Sequence, residues 1–296
     1  MSKASIYSSL SNVIISALLL AITTTSHATT LPAPIFSSVN TPATPNDSLL
    51  KDETFQRGIF VKHLQQSHGL HGLDDTLGSG VCVFDMDNDG DLDIYFVSGS
   101  GATRFYGKKH WWSGQPQGQL YQNDGSGNFS LLTGDTGLPI NLWGMGCNSA
   151  DIDNDGFEDL ILTNRGENWI AYGNGQGSFT SLQLGESSNW STSANLVDIN
   201  NDGLLDIYIG NYIEFQKNTK TFESSSGFTR DDTAFLPQNF PAQANEFYLN
   251  IGTRNFYEQA REYNLSNADG RTLGAQWLDS NNDEWLDLMV INDTGS

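Results

Sequence analysis

Residues Asp85-Met86-Asp87-Asn88-Asp89-Gly90-Asp91-Leu92-Asp93 place five carboxylates in nine positions around one glycine. Packing like charges this densely is costly unless a cation sits among them. The donor set is all oxygen, without Cys or His, so its chemistry is to hold a hard divalent ion, Ca²⁺ rather than zinc. The pattern returns at residues 151–159, 198–206 and 279–287. Its shared form, D-x-[DN]-x-D-G-x-x-D, offers side-chain oxygens at positions 1, 3, 5 and 9 and a backbone carbonyl at position 7. The predicted ligands are therefore Asp85, Asp87, Asp89 and Asp93 with the carbonyl of Asp91, and Asp151, Asp153, Asp155 and Asp159 with that of Phe157. The third loop offers Asp198, Asn200, Asp202 and Asp206 with the carbonyl of Leu204. The fourth offers Asp279, Asn281, Asp283 and Asp287 with that of Trp285.

One such match reads equally well as an Asp/Asn/Gly turn. Four in register, each followed by an apolar strand, point to metal loops. An EF-hand is excluded, because it needs a bidentate Glu at position 12 and flanking helices. Position 12 here is Phe96, Leu162, Ile209 and Val290, inside the following strands. Ligand charge ranks the first two loops tightest, then the third. The fourth is weakest or empty, because Glu284 stands where the turn glycine should be, a position that favours positive φ.

The elements that position these loops follow from a second repeat. Leu120 to Phe129, Ala171 to Phe179 and Tyr248 to Phe256 each read as a hairpin, with an aromatic strand end, an Asn/Gly turn and Phe opening the return strand. From each hairpin Phe to the next loop's first Asp is 22, 19 and 23 residues, whereas from a loop's last Asp to the next hairpin Phe is 36, 20 and 50. All the length variation falls in one connection. With strands A to D in each repeat, the acidic loop joins A to B, the variable segment B to C and the hairpin C to D. Connections in an up-and-down sheet alternate ends, so acidic loops and hairpins share one face and the insertions the other. Irregular four-stranded repeats that must stack fit propeller blades, with a β-sandwich as the fallback.

The loops and hairpins resemble FG-GAP/VCBS repeats, as in the β-propeller of integrin-α N-terminal type. Gly78-Ser79-Gly80-Val81 and Trp143-Gly144-Met145-Gly146, before the first two loops, are similar to those of secreted ASPIC/UnbV, cartilage-acidic-protein-like proteins. The resemblance covers about residues 55–296. It implies an all-β, extracellular or periplasmic propeller, usually seven-bladed, with Ca²⁺ on its lower face. The sequence holds about three and a half blades, so an incomplete propeller with an unpaired blade face is expected.

The chain has 296 residues and a formal net charge of −21, and close to half of its 35 acidic side chains lie inside the four loops. No basic stripe exists to neutralise phosphates, which excludes a nucleic-acid partner. Residues 1–28 read as a secretory signal: Lys3, an apolar run from Val13 to Ile22 too short to span a bilayer, and Ser26-His27-Ala28 for cleavage. Residues 29–55 read as a flexible linker rich in Thr, Pro, Ser and Asn, and 56–296 as the partial propeller. No later segment is apolar and long enough for a transmembrane span. His63, His68 and His71 lie in a polar stretch that reads as a loop or a transition-metal site.

Cys82 and Cys147 precede their loops by three and four residues, so they sit on opposite faces of equivalent strands and can point at each other between stacked blades. Export permits a disulfide. Stacked sheets about 10 Å apart oppose it, since the bridge needs Cα atoms within roughly 7 Å.

The function these features support is a binding, adhesion or scaffold module for an extracellular protein or glycan. Its partner site is placed on the insertion face, where Lys108, His110, Trp111 and Trp112 form the densest basic-aromatic cluster. Packing of those Trp residues under their own loop is the competing reading. A polysaccharide lyase or hydrolase is the alternative, and a structural platform for a further domain is the third. No G-x-S-x-G or H-E-x-x-H is present, and paired catalytic carboxylates cannot be told from metal ligands by sequence.

Overall fold

The computed structural model of the chain describes residues 50–61, 79–97, 118–140, 142–185, 189–214 and 237–293. Among these residues there is no α-helix; they form fourteen strands in four antiparallel sheets. Blade 1 comprises β1 (Val81–Phe84), β2 (Asp93–Phe96), β3 (Gln119–Asn123) and β4 (Phe129–Leu131). Blade 2 comprises β5 (Gly144–Ala150), β6 (Asp159–Asn164), β7 (Asn168–Gly173) and β8 (Phe179–Leu184). Blade 3 comprises β9 (Ser191–Val197), β10 (Asp206–Asn211), β11 (Glu246–Asn250) and β12 (Phe256–Glu258). Blade 4 contributes β13 (Thr272–Leu278) and β14 (Asp287–Asn292). Within each blade the strands lie in sequence order, as the A-to-D assignment requires. The fold is a partial β-propeller.

The innermost strands of successive blades lie side by side, β1 with β5, β5 with β9 and β9 with β13. Apolar side chains fill each space between blades. Phe84, Met86 and Tyr95 of blade 1 meet Leu160, Leu162 and Phe179 of blade 2. Ile152, Ile161 and Tyr172 of blade 2 meet Ile207, Ile209 and Tyr248 of blade 3. Tyr208 and Phe247 meet Trp277, Leu288 and Val290 of blade 4. The second strands β6 and β10 are buried at every residue, because a neighbour covers each face. Their middles, Leu160 to Leu162 and Ile207 to Ile209, therefore run apolar without alternation. On blade 4, Leu273, Met289 and Ile291 are exposed.

Cys82 and Cys147 are joined in a disulfide with Cα atoms 5.9 Å apart. The parity argument holds, and the spacing argument against the bridge is corrected. The 10 Å rule describes sheets separated by two layers of side chains, whereas the innermost strands here converge. Gly80 and Gly146 permit that approach: a Cβ on Gly80 would lie 2.9 Å from the Gly146 Cα, and one on Gly146 2.8 Å from the Thr192 carbonyl oxygen of β9.

A buried polar chain links the blades at the other end of the second strands. The Asn168 side chain donates to the Ser191 hydroxyl (2.9 Å), which donates to Asn211 Oδ1 (2.7 Å). Asn245 accepts from the Asn211 backbone N–H and donates to Tyr208 and Thr272. Thr272 in turn donates to Asn292. Near this end, the Arg165 guanidinium lies between Trp143 and Trp190, 4.9 and 5.1 Å from the ring centroids.

Residues 53–59, at the boundary between linker and propeller, form a turn whose Arg57 carbonyl accepts from the Phe129 N–H at 2.6 Å. Blade 1 thus gains an ordered flank there. The signal, most of the linker, the three histidines and the Lys108, His110, Trp111 and Trp112 cluster lie outside the described residues.

Candidate metal centre

Each acidic loop is wound by its own carboxylates. In the first, Asp85 accepts the Asp89 and Gly90 N–H groups (3.2 and 3.0 Å), and Asp89 accepts that of Asp91 (2.9 Å). The second repeats this with Asp151, taking Asp155 and Gly156, each at 3.0 Å. The third does so with Asp198 and the fourth with Asp279. Two residues per loop adopt positive φ. One is the turn glycine, at 92°, 94° and 87° for Gly90, Gly156 and Gly203. In the fourth loop Glu284 takes φ 72°, the strained conformation expected of a non-glycine there.

The other is position 4, which is Asn in all four loops: Asn88, Asn154, Asn201 and Asn282, with φ between 57° and 61°. Asn tolerates the left-handed region better than most residues. Its identity across four copies was a visible signal that the consensus form above passes over.

Winding the loop gathers ligands. Carboxylate oxygens of Asp85, Asp87 and Asp89 lie within 4.8 Å of one another, and so do those of Asp151, Asp153 and Asp155. Both triads can hold a metal ion. In the first, Gln122 donates to Asp87 Oδ2 (2.7 Å), while Asp87 Oδ1 is buried without a hydrogen-bond partner. An orphaned carboxylate oxygen is costly, and a bound cation removes that cost. Glu158, position 8 of the second loop, also reaches toward Asp85; burial raises its carboxyl, and its Oε2 is likewise unpartnered.

Position 9 has a second duty. Asp93 accepts the Met86 N–H of its own loop (3.0 Å) and the Asn123 N–H at the hairpin (2.8 Å). Asp159 does the same with Ile152 and Gly173, and Asp206 with Ile199 and Asn250. This carboxylate therefore staples the acidic loop to the hairpin of its blade, which fixes both on one face. It is buried in all three blades. Burial, with smaller contributions from the neighbouring loop carboxylates, pushes Asp93 up to about 6 and Asp159 up to about 7, against the lowering pull of the backbone donors. Asp206 is raised for the same reasons. In the fourth loop Asp287 accepts from the Ser280 backbone and hydroxyl and is not fully buried.

The next blade roofs the first two loops. The Gly177 N–H donates to the Met86 carbonyl (3.2 Å), Asn250 to that of Ile152 (3.1 Å), and Asn154 to that of Gly203 (3.0 Å). Arg254 closes on the second triad, its Nε 2.6 Å from Asp153 Oδ2. Sequence reasoning did not single out Arg254, whose target lies 101 residues away.

The FG-GAP-like repeat family matches residues 85–162 and, overlapping, residues 151–209. Each match starts at the first Asp of a loop and ends in the second strand of the following blade. The chain thus carries FG-GAP-like repeats on a partial β-propeller. No curated protein matches it.

Proposed function

We propose that the chain is an exported, Ca²⁺-stabilised propeller module that binds an extracellular protein or glycan, and that Ca²⁺ occupies the acidic loops. The observation that carries this is the first triad: three carboxylates within 4.8 Å, with one buried oxygen unpartnered. The oxygen-only donor set and the compact acidic turns suit Ca²⁺. FG-GAP-like repeats accord with a binding or adhesion role and with the integrin-α-like and ASPIC/UnbV resemblance. Export rests on residues 1–28 and agrees with the Cys82–Cys147 disulfide. No helix among the described residues is long and apolar enough to cross a membrane. The partner site belongs on the face opposite the metal loops, with Lys108, His110, Trp111 and Trp112.

Calorimetric titration of the mature chain with Ca²⁺, paired with melting in EDTA, tests the metal reading. The expected result is saturable heat, a lower melting temperature in EDTA, and loss of the first site in Asp87→Ala. No heat and no EDTA effect would reduce the loops to turns. N-terminal mass spectrometry of exported protein should read a start near Thr29, and a glycan array against the intact chain and Trp111→Ala tests the partner face.

A further inference from the structure

Three hairpins in this chain return through Phe129, Phe179 and Phe256, and the residues two before these are Gly127, Gly177 and Arg254. All three have positive φ, 76°, 74° and 61°; in the third hairpin, Thr253 is also at positive φ, 53°. Two hairpins meet that demand with glycine. The third places a side chain there, at a backbone cost on the order of 1 kcal/mol. A compensating contact is therefore expected, and it is found on the preceding blade.

Arg254 reaches from the blade 3 hairpin to the second acidic loop. Its Nε donates to Asp153 Oδ2 at 2.6 Å, and its Nη2 lies 3.9 Å from Asp155 Oδ2. The guanidinium lies over the Tyr172 ring, 4.1 Å from its centroid. Asp153 is nearly enclosed, with a side chain 9% exposed. Asp153 and Asp155 are two of the three carboxylates of the second metal triad. The matching hairpin position over the first loop is Gly177, where even a Cβ would meet only Met86. No Lys or Arg ion pair reaches Asp85, Asp87 or Asp89 among the described residues. Of these two loops of equal ligand count, only the second holds a cationic side chain against its triad among the described residues.

We propose that Arg254 is the resident counter-cation of the second loop, and that Ca²⁺ must displace it from Asp153 to bind there. The proposal rests on the Ca²⁺ reading of that loop. It alters the ranking from ligand count, which set the first two loops equal: the first is now the tightest site. The second keeps its shape without metal, because a guanidinium screens its carboxylates. When metal enters, the charge repulsion between ion and guanidinium breaks the Asp153 contact, and the Arg254 hairpin loses one of its ties to blade 2.

The test is Ca²⁺ titration of the full chain and of Arg254→Gly, each also in an Asp87→Ala background that silences the first loop. Glycine is the residue the sister hairpins carry at this position, and it adopts positive φ without strain. Losing the competing ion pair should tighten the second loop roughly tenfold and leave the first unchanged. Adding Asp153→Ala should abolish that gain. In EDTA, Arg254→Gly should melt below the parent, and saturating Ca²⁺ should narrow the gap. Arg254→Lys, which keeps the charge but not the paired donors, should fall between. Second-loop affinity that is unchanged or weaker in Arg254→Gly, while the first loop still binds, overturns the proposal alone. Absence of Ca²⁺ binding in every chain overturns both it and the Ca²⁺ reading.

Discussion

Reducing the Cys82–Cys147 bridge should destabilise the propeller by an amount set mainly by the unfolded chain. The bridge spans 65 residues, and the loop-entropy relation for that length gives about 4 kcal/mol. For a domain of this size the same energy corresponds to a fall in melting temperature of roughly 10 °C. The bridge joins the innermost strands of blades 1 and 2, where glycine backbones already touch, so little native rearrangement should follow its loss. The assay is urea unfolding of the oxidised chain, the same chain under reductant, and Cys82→Ala/Cys147→Ala, each with Ca²⁺ and with EDTA. The cost should be similar in both conditions, because it arises in the unfolded ensemble and not at the metal loops. A reduced chain that unfolds at the same urea concentration as the oxidised one refutes the reasoning. So does a cost that disappears when Ca²⁺ is present, since that would place the effect in the native first loop, three residues from Cys82.

Two further predictions concern stability away from the first triad. Glu284→Gly should stabilise the chain by about 1 kcal/mol, since Glu284 holds φ 72° where its three counterparts are glycine; denaturant midpoints of the two chains decide it. Asn211→Ala should cost about 2–4 kcal/mol, because it strips buried partners from the Ser191 hydroxyl and the Ala244 carbonyl. Calorimetry should show its Ca²⁺ affinities intact, since Asn211 sits at the end of β10 remote from Asp206; a changed affinity would contradict that separation.

The acidic loops were legible in the sequence because their hydrogen bonds are local. Asp85 reaches N–H groups four and five residues on, so nine residues contain both the ligands and the geometry. The order of strands within blades and the shared face of loops and hairpins were also legible, since alternating connections leave no other arrangement. Even the strain at Glu284 could be read from one missing glycine. What the sequence left undecided depends on blades meeting. The disulfide was permitted by parity, but only the convergence of β1 and β5 through Gly80 and Gly146 brought its Cα atoms to 5.9 Å. The polar chain through Asn168, Asn211 and Asn245 joins residues that neither sequence repeat nor motif pairs. The second bond of the first three position-9 carboxylates goes to a hairpin 14 to 44 residues away. Arg254 finds Asp153 across 101 residues, because stacking sets one blade's hairpin over its neighbour's loop. A local pattern determined where a cation could sit, and tertiary packing decided which of those places already had one.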